Sequence, residues 1–230
     1  MLAGTKKPSR FLEGTRSACC SLLFLLCRCE IVSVPCLPFD ASCNMFVAEL
    51  LRSSAKSEAG GSFACADQTF CYFYISGSLA SGAFGGPTGG DTHCQNTRPA
   101  GLPAGTYQAV LMTDNASRNM ANDWVLKPQT EYRRPDGTTI IGVTNAAAVF
   151  SVATGNLTSS PDSTLVSVWT GIRVNGEELW EVQSGNTCLD WTTGPGPSGY
   201  YGSPIDTTYA AFDLTTQTCN TTGYLYCAQQ

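Results

Sequence analysis

Residues 71–98 begin with Cys71-Tyr-Phe-Tyr-Ile75, pass through the small-residue run 76–90, and end with Asp91-Thr-His-Cys94-Gln and Asn-Thr-Arg98. The first five residues are aromatic or β-branched, the composition of a strand packing on a pleated surface. The glycine-rich run after them carries neither a helical nor a strand period and reads as a loop. Residues 91–98 predict a short helix, with Asp91 or Thr92 accepting from its first N–H groups and Pro99 beyond its end. A strand, a loop and a short helix carrying a cysteine, in so small a span, point to an α+β fold built from small cross-linked elements.

Downstream the same grain continues. Residues 106–113 alternate well enough for a half-buried strand, 115–123 suit a short helix, and 124–126 a short strand. Arg134-Pro-Asp-Gly137 is a turn by its residue chemistry. Further strands are expected over 138–143, 163–172 and 178–182, with 224–228 closing the chain. Two long connections, 145–161 and 192–218, have no pattern; such loops in a compact domain are functional or pinned by cross-links.

Composition bounds the rest. The 230 residues are 13% charged and include 23 glycines, which excludes a coiled coil, a charged helical array and a disordered acidic tail. No stretch reaches the 18 or so apolar residues of a membrane-spanning helix. Net charge is −5, and from Cys65 onward six Lys/Arg against thirteen Asp/Glu leave −7, a balance that argues against nucleic acid. One histidine, His93, gives little basis for His-dependent catalysis or a His-rich zinc site, and no cofactor is expected.

Twelve cysteines are spread along the chain, six of them within the first 43 residues. Spread-out cysteines in a Gly-, Thr- and Asn-rich domain read as disulfides of an exported protein. Cys65 and Cys71 are close enough in sequence to pair. Cys94, Cys188, Cys219 and Cys227 permit three connectivities, among which spacing does not choose. Residues 1–44 have the outline of a leader, basic residues followed by the apolar run 21–27, or are a mis-assigned start with Met45 as initiator. Cys27, after Leu25-Leu26, and Cys43, after Ala41-Ser42, are the lipidation candidates, and a lipid anchor is the only membrane attachment expected. Residues 45–64 read as a linker and 65–230 as the folded domain.

The order Gly85-Gly86, Gly90-Asp91-Thr-His-Cys94-Gln, Ala100-Gly-Leu102 and Gly105-Thr-Tyr-Gln-Ala109 resembles the leptospiral endostatin-like family of exported surface proteins. The likeness continues through Tyr132-Arg-Arg-Pro-Asp-Gly-Thr138, Ile141-Gly-Val-Thr-Asn145, Trp169-Thr-Gly171, Cys188-Leu-Asp-Trp-Thr192, Gly199-Tyr-Tyr-Gly-Ser203 and Leu225-Tyr-Cys227. It covers about residues 70–230. That family is similar to the endostatin fragment of a vertebrate collagen and so to the C-type-lectin-like fold, here a twisted, mainly antiparallel sheet with short helices and long disulfide-pinned loops. The resemblance implies Cys94–Cys227 as an outer bridge around Cys188–Cys219. It also implies adhesion, with laminin, fibronectin, plasminogen or complement factor H as partners, and a glycan-binding module on the same fold as the alternative. The chain departs from the metal-binding members of that fold: only His93 is available for zinc, and the tripeptides of a calcium-dependent sugar site are absent.

Two sets of residues are candidates for contact. Arg118, Arg133, Arg134 and Arg173 would serve a sulfated glycan if they gathered in space. Tyr200 and Tyr201, inside the late loop, would serve as aromatic anchors of a protein interface. The acidic group Glu177-Glu178-Glu181 beside Trp180 reads as a solvated turn.

Overall fold

Strand β1 (Cys71–Ile75) and the last strand, β10 (Tyr224–Gln229), pair antiparallel at the centre of the molecule. Both are apolar on both faces, so each alternating set of side chains needs its own cover. Phe73, Tyr226 and Ala228 face one apolar cluster with Tyr132, Phe150, Trp180 and Phe212. Tyr74, Leu225 and Cys227 face the other, with Tyr107, Leu111, Trp169 and Trp191. The computed structural model describes residues 64–153, 155–175 and 179–230, all within one compact unit, Ala55–Gln230. The proposed leader 1–44 with Cys27 and Cys43, nearly all of the linker 45–64, and Glu177 and Glu178 lie outside the described residues.

Around this pair lie β2 (Tyr107–Ala109), β3 (Glu131–Arg133), β4 (Ile140–Val143), β5 (Val168–Trp169), β8 (Ser198–Gly202) and β9 (Thr215–Thr218). They form one curled sheet in the order β4-β3-β1-β10-β5-β8-β9, with β2 also on β10. The β1–β3 and β10–β5 pairs are parallel and the others antiparallel. A separate antiparallel ribbon joins β6 (Ile172–Val174) to β7 (Trp180–Val182). Among the described residues the architecture is mainly β, with one regular helix and a few single turns, within the α+β class.

That helix, α1, runs Gly86–Asn96, five residues earlier than its capping chemistry suggests. It starts on Gly85 and Gly86, both with positive φ, and on Pro87, so part of the glycine-rich run is its first turn. Asp91 is therefore not a cap. It projects from mid-helix and accepts from the Ala109 N–H at 2.8 Å. Residues 115–123 form no helix: Asn115 accepts from the Ser117 N–H, and Asn119 from Ala121 and Asn122, local bonds that compete with helical ones. Nor is the 192–218 connection irregular, since it contains all of β8 and β9. Sequence reasoning passed over β3, β8 and β9 because Glu-Tyr-Arg, Ser-Gly-Tyr-Tyr-Gly and Thr-Thr-Gln-Thr lack an apolar period.

Three disulfides close the domain: Cys65–Cys71, Cys94–Cys227 and Cys188–Cys219. The second ties α1 to the central strand across 133 positions and the third spans 31. In the chain-entropy treatment loops of these lengths are worth about 5 and 4 kcal/mol. Among the described residues no helix is long and apolar enough to cross a membrane.

Candidate functional site

Arg118 is not a surface arginine. Its side chain is 2% exposed, and all five guanidinium donors are taken. Nη1 and Nη2 grip Asp91 at 2.7 and 2.8 Å, Nε and Nη2 grip Asp123 at 2.9 and 2.6 Å, and Nη1 reaches the Ala109 carbonyl at 3.0 Å. Burial alone would lower its pKa. The hydrogen bonds and charges of Asp91 and Asp123 outweigh that and raise it. The group joins α1 to the 113–123 loop, so Arg118 leaves the list of ligand candidates.

Arg133 and Arg134 are also committed locally. Arg133 lies over the Phe70 ring at 4.1 Å, pairs with Glu131 at 2.6 Å and donates to the Gly137 carbonyl at 2.9 Å. Arg134 donates to the Ser160 carbonyl through two nitrogens. Three strands separate β3 from β8, roughly 19 Å at the usual strand spacing. Arg173 belongs to the β8 end, where its charge acts on Tyr200. The four arginines form no patch.

Tyr200 and Tyr201 sit in β8 rather than a loop, and successive strand residues point to opposite faces. Tyr201 packs against the cluster of Trp169 and Trp191. Tyr200 takes the other face, hydrogen-bonded to Asp213, whose carboxylate also accepts from the Val174 N–H at 2.7 Å. Burial and then the Asp213 bond push the Tyr200 phenol up to about 12. Beside it stand Tyr209, 54% exposed on a single 3₁₀ turn (Tyr209–Ala211), and Leu214, 42% exposed at the start of β9. Arg173, exposed on β6 opposite Glu181, completes this surface of Tyr200, Tyr209, Leu214, Asp213 and Arg173. Neither Tyr209 nor Leu214 carried a sequence signal, because nothing in Tyr209-Ala-Ala-Phe-Asp-Leu214 tells which of its apolar side chains face solvent. The arrangement offers ring faces, one cation and one engaged carboxylate, the chemistry of a protein contact.

The turn on the opposite, Tyr201 side of β8 is unusual. Cys188, Leu189, Asp190 and Trp191 have φ of +52°, +51°, +56° and +64°, one turn of left-handed helix without a glycine. Each such residue costs roughly 1–2 kcal/mol relative to the right-handed form. The turn is over-determined by its surroundings: the Cys188–Cys219 bridge, the Trp191 N–H to Thr187 carbonyl bond at 2.7 Å, the Trp191 indole donating to Met112 at 2.8 Å, and its ring stacked on Phe84. Asp190 accepts from the Asn115 N–H, and Thr187 donates to Asp114 at 2.6 Å. His93 is bonded through Nε2 to the Gly77 carbonyl, tying α1 to the preceding loop. Among the described residues no three His, Cys, Asp or Glu side chains stand close enough to hold a metal ion.

Fold and surface together define a disulfide-bonded, mainly β domain with an exposed aromatic face. Residues 77–207, more than half of the chain, match the family described as a protein of unknown function, DUF1554, and the chain belongs to that family. No curated protein matches it.

Proposed function

We propose that this chain is a non-enzymatic, exported surface adhesin. Its C-type-lectin-like, endostatin-like domain engages host matrix or plasma proteins of the kind of laminin, fibronectin, plasminogen or factor H. The observation that carries the reading is the face on which half-buried Tyr200 stands beside exposed Tyr209 and Leu214, on a disulfide-framed part of the sheet. Rigid aromatic side chains give contact area at little entropic cost, and the bridge helps to hold in place the strand and the 3₁₀ turn that bear them. Three disulfides favour an oxidising compartment and hence export. Membrane attachment, where present, falls to a lipid on Cys27 or Cys43. The likeness of residues 70–230 to the leptospiral endostatin-like proteins supports the class of partner.

A glycan-binding module on the same fold is the second reading. It would draw on Arg118, Arg133, Arg134 and Arg173. Their dispersal, with Arg118 buried, favours the protein-binding reading. A solid-phase panel of laminin, fibronectin, plasminogen, factor H and heparin separates the two. Saturable binding to one or more of the proteins, retained in excess heparin, is expected; binding to heparin alone would replace the adhesin with the glycan module.

A further inference from the structure

Cys188 sits in a crowded, backbone-strained place. An ideal Cβ on Gly82 would stand 2.5 Å from the Cys188 sulfur and one on Gly199 2.6 Å from it, so the two glycines leave room for a bonded sulfur and little more. Two separate thiols need van der Waals spacing, and the left-handed turn is the element that can yield. Its partner, Cys219, is itself buried and bonded through its backbone to Gly82 and Pro197, but it follows the end of β9, which pairs only with β8. Thr215, Thr216, Thr218, Asn220 and Thr221 around it are exposed. An edge strand of this kind opens locally at low cost, whereas Cys227 lies in the central strand and opens only with the whole sheet. The turn is also wired to the aromatic face. Thr187 bridges Gly199, and the Tyr200 N–H donates to the Asn186 carbonyl at 2.8 Å.

We propose that Cys188–Cys219 is a releasable clasp. A dithiol reduces it selectively while Cys94–Cys227 stays closed, the Cys188–Trp191 turn relaxes from its left-handed form, and the Tyr200 face loses its support. One thiolate of the dithiol attacks Cys219 sulfur, the Cys188 thiolate leaves and takes a proton, and the second thiol of the reductant closes its own disulfide, freeing the Cys219 thiol. Two electrons and two protons pass from dithiol to protein. The release step stands on its own, while its consequence for binding rests on the adhesin reading.

The full chain is titrated with dithiothreitol under native conditions. Free thiols are trapped by alkylation and located by peptide mass, alongside near- and far-ultraviolet circular dichroism. Cys188 and Cys219 should become labelled at a dithiol concentration at least ten-fold below that needed for Cys94 and Cys227. The tryptophan bands should change as they do, with the far-ultraviolet signal kept. Labelling of Cys94 and Cys227 at the same or lower concentration overturns the proposal, as does an unchanged tryptophan signal once Cys188 and Cys219 are labelled. A Cys188→Ser/Cys219→Ser chain should show the spectrum of the reduced form and bind the matrix panel at least five-fold more weakly; wild-type binding by that chain overturns the coupling to the Tyr200 face. An oxidised wild-type chain that binds nothing in the panel overturns the adhesin reading alone, because the order of reduction decides the clasp in either case.

Discussion

Arg118 shows how a charge can be structural in an acidic domain. Its two carboxylate partners compensate it fully, so the group is stabilising as a set and costly when broken. Removing the guanidinium strands Asp91 and Asp123 against each other in a partly buried place. Arg118→Ala should therefore lower unfolding free energy by about 1–3 kcal/mol, chiefly through the buried Ala109 carbonyl left without its donor, because Asp91 and Asp123 keep 21% and 48% exposure. Arg118→Lys should recover little of this, since an ammonium cannot fork onto two carboxylates and a carbonyl. Urea unfolding of both variants checks this; a lysine variant as stable as wild type would mean that charge alone suffices. Tyr200 and Tyr201 are separable at the same scale. Tyr201→Ala should destabilise by about 1–3 kcal/mol through lost packing, while Tyr200→Ala should leave stability nearly intact and weaken binding. None of this was legible in the chain: Arg118 and Arg133 look alike as letters, and only the folded position of Asp91 distinguishes them.

The Cys188–Trp191 turn is the element with the most to lose from ideal geometry. If its backbone is strained as its φ angles require, a residue free of Cβ should relieve it where the side chain makes no packing contribution. Leu189, 62% exposed, is that position. Leu189→Gly should be neutral or raise stability by up to about 1 kcal/mol, against the usual loss for glycine. Gly199→Ala should do the opposite. Its Cβ would fall 2.5 Å from the Trp169 ring as well as against the Cys188 sulfur. Thermal unfolding of the two oxidised variants reads both effects, and a destabilised Leu189→Gly chain would argue against stored strain there. Element by element, the sequence was a fair guide where period and composition agreed, as in β1, β10 and the Arg134–Gly137 turn. It failed where tertiary partners decide: at α1, whose glycine-rich start is held by the fold, and at β8 and β9, whose polar residues become strands by pairing with one another. The pairing of Cys94 with Cys227 and of Cys188 with Cys219 followed from family resemblance, whereas that of Cys65 with Cys71 followed from their closeness in sequence.

For the whole molecule, the buried phenols set the alkaline limit. Burial pushes Tyr107 up to about 12 and raises Tyr74, Tyr132 and Tyr226 as well. A phenol harder to ionise when folded than its ordinary value of 10.0 contributes stability that is complete below pH 10 and is lost as pH rises through about 12. Spectrophotometric titration should thus show these phenolates appearing together with loss of the fold, not before it. Adhesion by the aromatic face should be insensitive to chelators, because no metal enters the proposed contact. It should also change only a few-fold between about 0.05 and 0.5 M salt, where the Debye length falls from roughly 14 to 4 Å. A chelator-induced loss restored by calcium would point to a lectin-type site instead. The most direct test of the adhesin reading is the affinity of the oxidised Tyr200→Ala/Tyr209→Ala chain for whichever panel protein the wild type binds best, measured beside its melting temperature. A loss of about ten-fold or more with an unshifted melting transition is the expected result; wild-type affinity in that variant would contradict it.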